Sequence, residues 1–394
     1  MRRVYFDHNA TTPVDREVLE AMLPFFVDEF GNASSIHSFG QPARAAVENA
    51  REQVAALLGA QPAEIVFTSG GTESDNTAIL GVVAAAERAG QKNLHVITTT
   101  IEHHAVLHTC QALERRGVAL TYVPAGGDGR VSPDDVRRAI RPETALITVM
   151  HANNELGTVQ PLEEIGRIAA EADVYFHTDA VQSAGKVPVD VERAGAHLLS
   201  ISAHKLYGPK GVGALYVRKG TPLEPLFYGG HSERDRRPGT DNVAGVAGLG
   251  KAAELARLQL AHESARIARL RDRLEEGLLA RVPHTRVNGS REHRTPNTSN
   301  VTIPFIDGEA MLIALDLQGI ACSTGAACSS GAVEPSHVLT AIGLPKEDAR
   351  ATLRFSLGRA STEEEVAYVL EVIPGVVERL RALSPVRANP VSAD

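Results

Sequence analysis

Ser69-Gly70-Gly71-Thr72-Glu73-Ser74 closes a strand-like run and opens a helix-like one. Paired glycines let the backbone approach an anion, and a helix N-terminus offers free N–H groups at its positive end. Thr72 adds a hydroxyl. The chemistry would be a phosphate cradle, although a plain turn with Thr72 or Ser74 as N-cap has the same pattern. The G-x-G-x-x-G spacing of a dinucleotide site is absent. Asp179 ends the run Tyr175-Phe176-His177-Thr178-Asp179. Ligands of open α/β sheets collect at such strand ends, where a carboxylate is otherwise a cap or loop residue. Lys205 follows the buried-strand pattern Leu199-Ser200-Ile201-Ser202-Ala203-His204. A partly desolvated lysine loses proton affinity and becomes an amine nucleophile, whereas an exposed loop lysine does not.

A phosphate cradle, an acid for a protonated pyridine nitrogen and an amine able to bond an aldehyde are what pyridoxal 5'-phosphate requires. They occur in that order, each at the end of a candidate strand. His103, in Thr100-Ile101-Glu102-His103-His104-Ala105, could stack on such a ring and move protons near neutral pH. A metal site at His103 and His104 is disfavoured, because adjacent residues seldom chelate one ion. Cys322-Ser323-Thr324-Gly325-Ala326-Ala327-Cys328-Ser329-Ser330-Gly331 is a run of small residues. A thiol in such a run, here Cys328, suits attack better than core packing. Cys322 lies nearer the apolar Gly319-Ile320-Ala321 and is expected to be packed. Cys110, in helix-like Leu107–Leu113, is expected to be buried and inert.

Strand-like segments at 64–68, 93–98, 119–123, 145–150, 174–178, 198–202 and 213–217 alternate with helix-like ones such as 132–140 and 162–172. Short apolar strands between amphipathic helices predict an α/β fold whose mostly parallel sheet is covered by helices. The texture changes near Gly239. Residues 243–281 read as one long helix or a helix pair. Strand-like 299–304, a helix over 308–317, strand-like 352–356 and a helix over 362–383 follow, as in a smaller α+β C-terminal domain. The expected division is residues 1–15 as a segment packing near the small domain, 16–255 as a large cofactor-binding domain, and 256–394 as a small domain carrying the cysteine loop.

Lys plus Arg number 40 and Asp plus Glu 48, a net charge of -8, which makes no electrostatic case for nucleic acid or an anionic membrane. Apolar runs are strand-sized, too short to span a bilayer. Three cysteines are an odd number for a disulfide framework and point to a reducing, cytoplasmic setting.

The assembled residues resemble the NifS/IscS-type cysteine desulfurases, pyridoxal-phosphate enzymes of the class V aminotransferase fold (fold type I). The similarity runs from Asp7-His8-Asn9-Ala10-Thr11-Thr12-Pro13 through residues 68–76, His151-Ala152-Asn153-Asn154-Glu155, Ala203-His204-Lys205 and residues 328–337 to 353–359. The resemblance implies conversion of L-cysteine to L-alanine with a persulfide on Cys328. Lys205 would hold the cofactor and move the substrate Cα proton. Asp179 would pair with the pyridine nitrogen, Gln182 would bond the phenolic oxygen, and His103 would stack on the ring as acid/base. Gly71, Thr72, Ser202 and His204 would hold the phosphate, joined by Thr240 from the other subunit of a homodimer. Asn154 and Arg354 would grip the substrate carboxylate. The extended run around Cys328 matches the long-loop group. His104 stands where many relatives have lysine, and the scaffold-binding extension of some relatives is not recognisable. The implied acceptor is an iron–sulfur scaffold or a tRNA-thiolation protein. Competing readings are a selenocysteine lyase, an aminotransferase for small substrates, and an inactive sulfur carrier of the same fold.

Overall fold

The computed structural model describes residues 2–324 and 335–383. Its large sheet contains β2 (Ile65–Thr68), β3 (His95–Thr99), β4 (Ala119–Val123), β5 (Thr144–Thr148), β6 (Tyr175–Asp179), β7 (Leu198–Ser202) and β8 (Gly213–Val217), after a short β1 (Val4–Tyr5). The seven strands lie in the order β2-β8-β7-β6-β5-β3-β4. Only β8 runs against its neighbours, β2 and β7. The carboxyl ends of β2, β3, β5, β6 and β7 therefore share one edge. Strands β3, β5, β7 and β8 are buried along their whole length, as expected where both faces are covered, whereas edge strand β4 is half-buried.

A helix that the sequence did not single out, Gly40–Leu58, packs its Val47, Val54 and Leu58 into the core beside the sheet. It stops at Gly59, whose φ of 70° is the left-handed C-cap that glycine supplies without strain.

Residues Val243–Arg281 form one continuous helix rather than a pair. Its first half buries Val246, Leu249 and Ala253 in that same core. Its second half buries Ile267, Leu270, Leu274 and Leu278 in a separate one, with Val301, Phe355, Val369 and Ile373. The second core covers the antiparallel sheet formed by β9 (Arg286–Asn288), β10 (Thr298–Thr302) and β12 (Thr352–Ser356). β10 stops two residues before Pro304, which cannot donate to the ladder. β1 pairs in parallel with β11 (Ile320–Ala321), and Val4 and Phe6 enter the second core. The chain start is thus held by the smaller sheet's surroundings while residues 7–12 run on towards the large sheet's carboxyl edge.

Candidate active site

Ser69 and Gly70 turn the chain from β2 into the helix Gly71–Arg88. The Thr68 and Ser74 hydroxyls lie 2.8 Å apart, and Glu73 accepts from Ser69 N–H at 2.8 Å and from Arg237 Nε at 2.9 Å. A Cβ on Gly71 would lie 2.7 Å from Val181 Cγ2, and one on Gly213 would lie 2.7 Å from Gly70 Cα. Neighbouring segments close on this turn only because side chains are missing there. Gly71, Thr72, Ser202 and His204 face the same cavity, of about 310 Å³, as Asn9, Ala10, Asp75, His103, Asn154, Asp179, Gln182, Lys205 and Arg354.

Lys205 sits in the turn that follows β7. Its Nζ donates to the carbonyls of Asn9 and Ala10. Burial lowers its pKa to about 8, the Arg354 charge acts in the same direction, and Asp7 and Asp179 oppose. Asp179 ends β6, only 5% exposed, and accepts from Val181 N–H at 2.9 Å. Burial raises its pKa to about 6 against that hydrogen bond and Lys205. Beside it, Asp75 is pushed well above the usual carboxylate range by burial and by Asp179, and its Oδ1 has no hydrogen-bond partner among the described residues, with His177 Nε2 3.6 Å away. His103 caps the helix His104–Arg115: Nδ1 accepts from Ala105 N–H at 3.1 Å, which leaves Nε2 for proton traffic. Burial and the nearby Lys205 lower its pKa, so the ring is neutral at pH 7. His204 is lowered to about 4 by burial and Lys205, and lies 3.1 Å from Thr11 Oγ1.

Across the cavity, Arg354 Nη1 donates to Asn154 O at 3.0 Å and Nη2 to Asp7 Oδ1 at 2.7 Å. Its buried Nε has no partner in the described structure. Arg354 N and O both bond Ser323, the residue next to Cys322. Cys322 itself is packed in the second core, and burial drives its thiol pKa far up. Cys110 is buried and pushed up to about 12. Cys328 lies outside the described residues. Thr240 is exposed and does not line the cavity of its own chain.

Asn9 was not anticipated as a hub. Its side chain donates to Asn154 O and Thr298 Oγ1 and accepts from Asn297, while its carbonyl receives Gln182 Nε2 and Lys205 Nζ. The only sequence signal was the polar run Asp7–Thr12. A larger groove, about 840 Å³, lies at the opposite edge of the sheet by Lys92, Arg141 and Pro222 and contains none of these groups.

A helix N-terminus opened by glycine, a buried carboxyl at the cavity floor, an imidazole on the wall and an amine of lowered pKa fit a phosphorylated pyridine aldehyde. Asp179 would supply the anion that its ring nitrogen needs.

The Aminotransferase class-V family profile matches residues 4–369. Cysteine desulfurase IscS of Dictyoglomus turgidum is 51% identical over 384 residues, which are 98% of this chain and 97% of that protein. Cysteine desulfurase IscS of Methanosarcina thermophila is 53% identical over 98% of this chain and 94% of that protein. The solved structure of a NifS-like protein superposes with a TM-score of 0.90 at 39% identity, covering 96% of this chain and 100% of that one. With its fold, cavity and near full-length likeness in agreement, the chain belongs to the class V aminotransferase family of pyridoxal-phosphate enzymes, among its cysteine desulfurases.

Proposed function

We propose that the protein takes sulfur from L-cysteine, leaving L-alanine and a persulfide on Cys328, with the residues of the 310 Å³ cavity dividing the work. The observation that carries this reading is the meeting in one cavity of a Lys205 amine lowered to about 8, the buried Asp179 and the glycine-opened helix N-terminus. Gly71, Thr72, Ser202 and His204 hold the phosphate, Asp179 the pyridine nitrogen and Gln182 the phenolic oxygen. Bound there, the cofactor withdraws electrons from the substrate Cα. Lys205 anchors the cofactor and moves the Cα proton at Nζ. His103 packs on the ring and exchanges a proton at Nε2. Arg354 grips the substrate carboxylate with Asn154, a planar task that suits guanidinium. Cys328 Sγ forms an S–S bond as the substrate's Cβ–S bond breaks, and Cβ takes up a proton to become the methyl of alanine.

The same reading makes the protein a homodimer. Leu23, Phe26, Val27, Phe30, Ile36 and Phe39 are all exposed within one short stretch of the chain, more apolar surface than a monomer ordinarily shows to water. Thr240 then completes the phosphate site of the other subunit. We assign residues 16–255 to a cofactor-binding domain, 256–394 to a small domain carrying Cys328, and 1–15 to a segment beside the latter. The sulfur acceptor is an iron–sulfur scaffold or a tRNA-thiolation protein. Cys110 and Cys322 are both free thiols, which supports a cytoplasmic location.

Cys328→Ser tests the reading. It should abolish sulfide release from cysteine and leave the cofactor's visible absorbance intact. Sulfide release that survives the change overturns the persulfide step. If turnover of selenocysteine persists in the variant while that of cysteine is lost, selenocysteine lyase becomes the better reading. A purified protein that takes up no pyridoxal phosphate would favour the inactive carrier.

A further inference from the structure

Gln182 stands between two groups that leave its amide one orientation. Its Nε2 lies 2.9 Å from the Asn9 carbonyl oxygen, which can only accept, so this end is the NH2. Its Oε1 therefore faces Lys186, whose Nζ donates at 2.7 Å. Lys186 does not reach the cofactor cavity. It lines a separate space of about 30 Å³ behind it, together with Lys205, His8, Tyr207 and Asn297. Without Lys186, Oε1 of a side chain only 6% exposed would lose its donor, and an unsatisfied buried carbonyl turns or swings to find one.

We propose that Lys186 is a positioning residue for cofactor binding: it pins Gln182 Oε1 from behind, so that the second Nε2 hydrogen is presented to the cofactor's phenolic oxygen. This rests on the reading of Gln182 given above. An amide that swings away to find a new donor for Oε1 would withdraw that hydrogen from the phenolic oxygen. The lysine type fits the place. Burial, and then the Lys205 and Arg354 charges, lower its pKa well below the usual value, and its Nζ keeps hydrogens to donate whether or not it is charged. Its backbone is held as well, since Ser264 Oγ donates to Lys186 O at 2.7 Å.

The test compares Gln182→Ala, Lys186→Met, their double variant and Lys186→Arg in the reconstituted holoenzyme. It reads the cofactor dissociation constant and the pH midpoint of the visible band. A hydrogen bond to the phenolic oxygen favours its anionic form, so losing it raises the midpoint. Gln182→Ala should raise the midpoint and weaken cofactor binding roughly tenfold, the scale of one hydrogen bond to a charged group. Lys186→Met, which keeps the apolar stem and removes the donor, should do the same, and the double variant should be no worse than Gln182→Ala. Lys186→Arg keeps a donor and should leave the midpoint at or below that of the parent. A shift in Gln182→Ala with none in Lys186→Met overturns the role of Lys186 and leaves that of Gln182 standing. No shift in Gln182→Ala overturns both. If Lys186→Met does not fold, a midpoint raised in Lys186→Arg overturns the proposal by itself.

Discussion

Arg354 reaches Asp7 with Nη2 at 2.7 Å, so the guanidinium facing the cavity is held by a residue from the first ten of the chain. The pair links the smaller sheet, through β12, to the segment that also receives the Lys205 amine at Asn9 and Ala10. Asp7 thus acts on the site in two ways, by aiming Arg354 and by its negative charge near Lys205.

Asp7→Asn should therefore change the titration of Lys205 in a known direction. Asp7 raises the Lys205 pKa and Arg354 lowers it. Removing the carboxylate deletes the first effect and leaves Arg354 without its counter-charge, so both consequences push the amine below about 8. Only the free amine attacks an aldehyde. The rate at which the apoprotein captures pyridoxal phosphate should rise with pH around 8 in the parent and around a lower value in the variant. Equal midpoints in stopped-flow absorbance would show that the Asp7 charge does not reach Lys205.

Asp179 carries a cost in the absence of cofactor. Its folded pKa, about 6, lies above the unfolded carboxylate value, so ionisation opposes folding. That penalty is absent below about pH 4, grows between about 4 and 6, and is fully present above, on the order of 3 kcal/mol. Apoprotein carrying Asp179→Asn should be the more stable form in urea at pH 7.5, with the two curves merging near pH 4. The same variant should bind pyridoxal phosphate far more weakly, because the ring nitrogen loses its anion. An advantage for the variant that persists at pH 4 would assign the effect to packing instead.

What the sequence made legible were the parts whose meaning is local. The cradle at 69–74, Asp179 and Lys205 each sit where a strand ends, and a strand end shows in a few consecutive residues. Asn9 and Lys186 could not be read this way. Asn9 meets Gln182 across 173 residues of chain, and Lys186 acquires its low proton affinity from a burial among residues as distant in sequence as His8, Ala256 and Leu357. Arg354 was identified by resemblance, since nothing in Thr352–Ser356 distinguishes it from an arginine at the rim of a buried strand. The antiparallel course of β8 was also hidden, because a covered strand is apolar whichever way it runs.

The placement of Thr240 allows a test of whose cofactor it serves. Its segment is tied to its own chain by Arg51, which grips Glu233 through two nitrogens at 2.8 and 2.9 Å, and by the Arg237–Glu73 pair, yet Thr240 itself faces outward. Take one protomer with Lys205→Ala and one with Thr240→Ala, each a poor binder of cofactor as a homodimer, and let them exchange subunits. If Thr240 serves the opposite subunit, the mixed dimer has one site carrying both defects and one carrying neither, so tight binding returns at a single site per dimer. If Thr240 serves its own chain, each site keeps one defect and mixing restores nothing. Titration of the mixture with pyridoxal phosphate, followed at the visible band, separates the two. Its second outcome would leave the exposed apolar stretch from Leu23 to Phe39 as the support for a dimer, without a shared cofactor site.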